Sequence, residues 1–208
     1  MPDPITFSLY LTAALLLAIT PGPGIFYVLT RSIKGGRREG YASSLGTAAG
    51  GLFHVAAAAL GLSAILATSA LAFNLIKFGG ALYLIYLGVR TLLSKDMDFA
   101  VEGGGAENHK RAFYQGVLTE MLNPKTALFF LAFIPQFINM DSPLVPQFML
   151  LGCISVFLNT SVDLMVATMA GSIGQQLQRR ARLRQAQKAF SGAGLMALGV
   201  YVAVSGNE

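Results

Sequence analysis

The stretch ITFSLYLTAALLLAITPGPGIFYVLT, residues 5–30, carries no charged side chain and is interrupted by Thr20-Pro21-Gly22-Pro23. A run of about 20 apolar residues is long enough for an α-helix to cross the hydrocarbon core of a bilayer. Proline inside a helix breaks it, because its ring clashes with the preceding turn and its nitrogen carries no hydrogen. The stretch therefore predicts a membrane-spanning helix that stops and restarts inside the membrane.

Five similar apolar blocks follow along the 208-residue chain. Hydrophobic residues make up 54% of the sequence and charged residues 12%, which is about half of their usual share in soluble domains. Too few charges are present to cover the surface of a soluble domain. We therefore predict an all-α polytopic membrane protein of six transmembrane helices, at residues 5–29, 42–69, 71–93, 113–138, 146–170 and 187–205.

The basic residues predict the orientation of these helices. Three alternate loops hold 13 of the 15 lysines and arginines, and these loops are expected to be cytoplasmic. Both termini are then expected to lie outside. The net charge of +5 is accounted for in this way, so we expect no nucleic-acid partner. The 13 residues are Arg31, Lys34, Arg37, Arg38, Arg90, Lys95, Lys110, Arg111, Arg179, Arg180, Arg182, Arg184 and Lys188.

The chain divides into two predicted repeats, residues 1–93 and 113–208, joined by a cytoplasmic linker at 94–112 that contains three consecutive glycines. An odd number of spans in each repeat inserts the second repeat the other way up, as in inverted-repeat transporters. Corresponding motifs support this arrangement, because Thr20-Pro21-Gly22-Pro23 in the first span matches Asn123-Pro124-Lys125-Thr126 in the fourth. Spans one and four are therefore predicted to be broken helices.

Each motif places a residue that caps helices well, Thr20 or Asn123, directly before a proline. A helix that restarts there presents free N–H groups and the positive end of its dipole, which suit a carboxylate. The alternative is that the prolines only kink the helices for packing. The candidate substrate-binding residues are Thr20, Pro21, Gly22, Pro23, Gly24, Asn123, Pro124 and Lys125.

Ionisable residues inside the predicted spans are the candidates for charge transfer, because a charge in the membrane needs a partner or a wet cavity. Asp163 lies beside the polar run Asn159-Thr160-Ser161 and is expected to carry a proton or bind an ammonium group, with a structural ion pair as the alternative. His54 and Glu120 are further candidates, although a lone histidine is more often a packing residue.

Lys125 could bind a substrate carboxylate or neutralise Asp163, and the sequence leaves both roles open. Lys77 is expected near the outer edge of the membrane, where its side chain can reach the headgroups. The glycines Gly46, Gly50, Gly79, Gly80 and Gly88 predict close helix packing. No cofactor motif or metal-ligand cluster is visible, so neither is expected.

Several of these features together resemble the LysE/RhtB family of bacterial amino-acid exporters over nearly the whole chain. The features occur in the same order and at the same spacing as in that family. The matching features are Thr20-Pro21-Gly22-Pro23, the basic segment Arg31–Gly40, Gly46–His54, GGALYLIYLGVR at 79–90, Gly116, Asn123-Pro124-Lys125, Asp163 and the arginine-rich segment before Ser191-Gly192. Two positions depart from the family pattern: Gly24 stands where Asn or Asp is usual, and Glu120 adds a charge where none is expected.

The resemblance implies export of neutral or basic amino acids and their relatives, such as homoserine or its lactone, by proton exchange across the bacterial cytoplasmic membrane. The expected partners are this solute, a proton and membrane lipid, with a homo-oligomer as an option. Export of another small metabolite is the alternative. A membrane-embedded enzyme is disfavoured, because neither a G-x-S-x-G nor an H-E-x-x-H motif is present. A scaffold is disfavoured, because it would need neither matched broken helices nor charges inside the membrane.

Overall fold

The computed structural model describes residues 4–62, 65, 70–93, 108–179 and 181–204, and these residues are almost entirely helical. The helices of the described part are α1 (Pro4–Ile19), α2 (Pro23–Ala57), α3 (Ala70–Leu93), α4 (His109–Met121), α5 (Pro124–Leu128), α6 (Leu144–Arg179) and α7 (Ala181–Val204). Helix α2 ends in a π-helical turn, Ala58–Leu62. Helix α5 continues through a π-helical turn, Phe129–Phe133, into a short 3₁₀ helix, Ile134–Phe137.

Within the described residues, two helical segments are long and apolar enough to cross a membrane: Leu144–Ala170, and Pro23–Leu62, which is divided by a sharp turn at Gly36. A third candidate span is formed if His109–Met121 and Pro124–Phe137 are taken together, with a bend of 43° between them. The all-helical class predicted from the sequence is confirmed. Six spans in two inverted repeats remain a prediction. Of the predicted linker 94–112, residues 94–107 lie outside the described residues, and residues 109–112 belong to the first turn of α4.

Helix α2 is divided at Gly36 into a first arm, 23–35, and a second arm, 37–57. Gly36 has φ 72° and ψ −178°, a combination that residues with a side chain rarely adopt. The chain folds back here: a Cβ added at Gly40 would lie 3.0 Å from Cβ of Ser32, eight residues earlier in the chain. In a straight helix those residues would be about 12 Å apart. The basic segment Arg31–Gly40, which was predicted as a loop, is therefore helical on both sides of one sharp turn.

A single carboxylate holds the two arms and the start of α4 together. Glu39, which is 3% exposed, accepts hydrogen bonds from Arg31 Nη1 at 3.3 Å and from the backbone N–H of Asn108 at 2.8 Å. Arg31 also donates to the side chain of Gln115 on α4. A partly buried ion pair and hydrogen bonds thus fix the end of the molecule at which α2 folds back.

Glycines let two pairs of helices approach until their backbones touch. A Cβ added at Gly50 would lie 2.6 Å from the carbonyl oxygen of Val117 on α4, and one added at Gly116 would lie 2.7 Å from that of Ser43. Between α3 and α7, a Cβ at Gly88 would lie 2.7 Å from the carbonyl oxygen of Gly192. Close packing is thus confirmed for Gly50 and Gly88.

Two sequence-based expectations about α3 were wrong. Around Gly79, no atom of a described residue lies within 4 Å of the position that a Cβ would take, so it brings no two described helices together. Lys77 does not extend to an exposed position: its side chain is 3% exposed, and its Nζ lies 5.6 Å from the ring centre of Phe78. A lysine stem is apolar enough to be buried when its helix face turns inward.

The apolar core is built around Tyr10 of α1 and the aromatic face of α5 and its extension. Phe129 and Phe133 stack with their ring centres 5.0 Å apart, and Phe137 meets Tyr10 edge-on at 5.4 Å. The hydroxyl of Tyr10 donates to the carbonyl of Leu151 on α6. This core fixes α1, α5 and α6 relative to one another, and the polar residues of α2, α4, α5 and α6 converge beside it.

Candidate functional site

The first helix break lies between Ile19 and Pro23. Thr20 was predicted to cap the restarted helix, and this was wrong: its hydroxyl donates backwards to the carbonyl of Leu16 at 2.7 Å. The cap position belongs to Gly22, which is extended (φ −144°, ψ −174°) and offers no side-chain hydrogen bond. A residue before proline is disfavoured from helical geometry, so the helix begins only at the second proline, Pro23.

The second break lies between Met121 and Pro124 and follows the prediction. Asn123 is the N-cap of α5, and its Oδ1 accepts a hydrogen bond from the backbone N–H of Lys125 at 3.1 Å. Pro124 occupies the first helical position, where its missing N–H leaves no hydrogen bond unmade. The two breaks therefore differ: α5 is capped by its own side chain, whereas α2 is not.

Lys125 connects the two breaks. Its Nζ donates to the backbone carbonyls of Thr20 at 2.8 Å and Leu17 at 3.1 Å, at the end of α1. The lysine stem passes over Gly22, whose added Cβ would lie 3.2 Å from Lys125 Cε. A cation at the C-terminal end of a helix meets free carbonyls and the negative end of the dipole.

A cavity opens between α2, α4, α5 and α6, and its lining includes Gly24, beside the first break, and Asn123, within the second. Its lining brings together one lysine, two carboxylates, two threonines of α2 and α5, and an amide-and-hydroxyl patch on α6. The lining residues are Gly24, Ile25, Thr47, Ala48, Gly51, Glu120, Asn123, Lys125, Thr126, Phe130, Val156, Asn159, Thr160 and Asp163.

Asp163 faces this cavity and is 4% exposed. Its Oδ2 lies 2.8 Å from the hydroxyl of Thr47, which also lies 2.9 Å from the carbonyl oxygen of Ser44. A hydroxyl has one hydrogen, so Thr47 donates to one of these oxygens at a time. Asp163 forms no ion pair with any described residue.

Glu120 lies at the end of α4 and is 7% exposed. Both of its carboxylate oxygens are hydrogen-bonded to α5: Oε1 to the hydroxyl of Thr126 at 2.6 Å, and Oε2 to the side-chain amide of Asn123 at 3.0 Å. A Cβ added at Gly24 would lie 2.7 Å from Oε2. The carboxylate thus occupies the space between the first turn of α2 and the first turn of α5.

His54 lies outside the cavity lining. Its Nε2 is 3.0 Å from the backbone carbonyl of Glu120, and its ring stacks on Phe130 with centres 5.8 Å apart. Because a carbonyl only accepts hydrogen bonds, Nε2 carries the hydrogen in this contact. The histidine therefore supports the last turn of α4, which carries Glu120.

The structure brings Gly24, Asn123, Lys125, Glu120 and Asp163 into one cavity. Thr20, Pro21, Gly22, Pro23, Pro124 and His54 lie around it without lining it. The main residue missed by the sequence interpretation is Thr47, the hydrogen-bond partner of Asp163. Its only signal was a hydroxyl between Gly46 and Gly50 on a helix of small residues. In the described part of the chain, no group of three or more His, Cys, Asp and Glu side chains could hold a metal ion.

Comparison with known proteins indicates a membrane transporter, the class of protein in which a polar cavity among apolar helices is expected. Residues 15–206 match the family model described as LysE type translocator. An uncharacterized membrane protein of Bacillus subtilis, YrhP, is 36% identical over 159 residues, covering 72% of this chain and 75% of that protein. The homoserine/homoserine lactone efflux protein of Salmonella typhimurium is 30% identical over 194 residues, covering 93% of this chain and 94% of that protein.

The leucine efflux protein of an Enterobacter species is 31% identical over 139 residues, covering 66% of each chain. No solved structure matches the chain. These likenesses and the helical cavity define a membrane transporter rather than an enzyme. The chain belongs to the LysE family of translocators.

Proposed function

We propose that this protein exports amine-bearing, amino-acid-related solutes from the cytoplasm in exchange for protons. The observation that carries the proposal is Asp163, a buried carboxylate that faces a cavity and has a hydroxyl, rather than a basic side chain, as its partner. A carboxylate inside a membrane protein marks an ion or substrate pathway by default. Relatives named as efflux proteins for homoserine, its lactone and leucine support the solute class.

Asp163 can bind either a proton or a substrate ammonium group, but not both. When Asp163 is ionised, Thr47 turns its hydrogen toward Oδ2; when Asp163 is protonated, it donates to Thr47, whose hydrogen then turns toward Ser44. Either state leaves the polar groups hydrogen-bonded. Competition between proton and amine for one carboxylate couples outward movement of the solute to inward movement of the proton.

The six-span arrangement remains part of this proposal. Repeats at 1–93 and 113–208 would insert in opposite directions, with the basic loops in the cytoplasm and both termini outside. The fold-back at Gly36 and the two helix breaks are compatible with such repeats. The membrane would be the bacterial cytoplasmic membrane, and lipid would cover the apolar helix faces.

Efflux from dipeptide-fed cells tests the proposal, because peptidases raise the internal amino-acid concentration. Cells that express the protein should release particular amino acids or relatives faster than control cells do. Asp163→Asn should abolish this gain with the protein still present in the membrane. Asp141→Asn provides the control, since it makes the same change at an exposed position.

Vesicles containing the purified protein and an internal pH dye test the coupling. An outward solute gradient should drive protons inward with the native protein and not with Asp163→Asn. Solute movement without proton movement would contradict antiport. Absence of any transported solute in either assay would contradict the exporter assignment.

A further inference from the structure

The position of Glu120 bears on which solute the cavity accepts. The carboxylate lies between the two restarted helices, where the positive ends of their dipoles favour an anion. Asn123 is the N-cap of α5 and Thr126 belongs to its first turn, and each donates one hydrogen bond to Glu120. The anion position between the breaks is thus filled by a side chain of the protein itself.

Gly24 makes this arrangement possible. Gly24 is the second residue of α2, and a side chain there would enter the space now taken by Glu120 Oε2, which lies 2.7 Å from the Cβ position. The absence of a side chain at Gly24 on α2 and the Glu120 carboxylate on α4 are therefore two parts of one feature.

Lys125 does not offset this carboxylate by direct contact. Two of its three N–H hydrogens are directed at the carbonyls of Leu17 and Thr20, and it forms no ion pair with Glu120 or Asp163. Ionised, the two carboxylates outnumber the one cation of the cavity lining. A solute carboxylate would meet a like charge at the very position where helix N-termini would otherwise hold it, and like charges placed together reject a ligand.

We propose that the preferred solute is a primary amine whose carboxyl group is absent or masked, such as an amino-acid amide, ester or lactone, rather than a zwitterionic amino acid. The ammonium group binds at Asp163, and the uncharged end lies toward Glu120. This inference rests on the proposed export function and specifies its substrate class. Glu120 acts here as a specificity residue that excludes a second carboxylate.

Calorimetric titration of the purified protein in detergent tests the preference without interference from passive leakage across membranes. The matched ligand pairs are leucinamide with leucine, and homoserine lactone with homoserine. The masked member of each pair should bind the native protein at least about tenfold more tightly, a difference of about 1.4 kcal/mol. Glu120→Gln keeps the shape but removes the charge, and it should reduce the ratio to below about threefold.

Two results would overturn the inference while leaving the export function intact: zwitterions that bind as tightly as their masked partners, or a ratio unchanged in Glu120→Gln. If that variant does not fold, the ratio for the native protein decides alone. If none of the four ligands binds, the solute identified by efflux is titrated beside its own amide, and a free acid that binds as tightly as the amide overturns the inference. Only a failure to find any exported solute would contradict the function itself.

Discussion

The ammonium group of Lys125 lies 2.8 Å from the backbone carbonyl oxygen of Thr20. Lys125 follows the second helix break, and it caps the end of α1, the helix that precedes the first break. Thr20 and Lys125 are 105 residues apart in the chain. A charged donor thus adds hydrogen bonds to the carbonyls at the end of α1, where the backbone alone satisfies fewer of them. The two discontinuities therefore form one unit, and disturbance of one is expected to disturb the other.

Replacement of Lys125 by alanine should destabilise the protein and not merely weaken solute binding. Two charge-assisted hydrogen bonds to buried carbonyls are lost, so the free energy of unfolding should fall by about 2 kcal/mol or more. Thermal unfolding in detergent measures the change. Lys110→Ala, at an exposed position on α4, should have little effect. Unchanged stability of Lys125→Ala with reduced solute affinity would indicate that Lys125 binds the solute directly.

Replacement of Thr47 by valine should reduce efflux by about tenfold, because a buried carboxylate then loses its hydroxyl partner. Thr47→Ser keeps the hydroxyl and should retain most of the native rate. Both variants are compared at equal membrane abundance in the dipeptide-feeding assay. A valine variant as active as the native protein would remove Thr47 from the proton-exchange step.

Replacement of Gly24 by alanine should weaken solute binding by about threefold, because the new methyl group pushes the flexible end of the Glu120 side chain out of its place between the helix breaks. Gly61→Ala is the matched control, since no atom of a described residue lies within 4 Å of the Cβ position there. The additional change Glu120→Ala removes the carboxylate from the space that the methyl group enters. It should therefore relieve the steric part of the effect. Native affinity in Gly24→Ala would show that this contact is not tight.

The positions of the helix breaks could be predicted from sequence because their causes are local. Proline blocks helix continuation wherever it occurs, and Asn123 caps α5 through a bond to an atom two residues away. The fold-back was also signalled by a polar segment, although its helical arms were not expected. Thr20 was misassigned because the second proline, Pro23, decides where the helix restarts.

The roles inside the cavity could be predicted only in part, because they depend on which helices meet. Asp163 was identifiable as a charge within an apolar helix. Its partner Thr47 is 116 residues away, and nothing local joins them. Nothing local could reveal that the Lys125 side chain turns to α1 while the Glu120 carboxylate lies beside Gly24.

The glycine contacts have a consequence for alternating access. Gly50 and Gly116 join the second arm of α2, from residues 1–93, to α4, from residues 113–208, and Gly88 and Gly192 join α3 to α7 in the same way. Each tightly packed pair therefore takes one helix from each half of the sequence. If the protein moves as rigid bodies, each mixed pair of helices, α2 with α4 and α3 with α7, is one body. The hinge then lies between these two pairs, and residues 1–93 do not separate from residues 113–208.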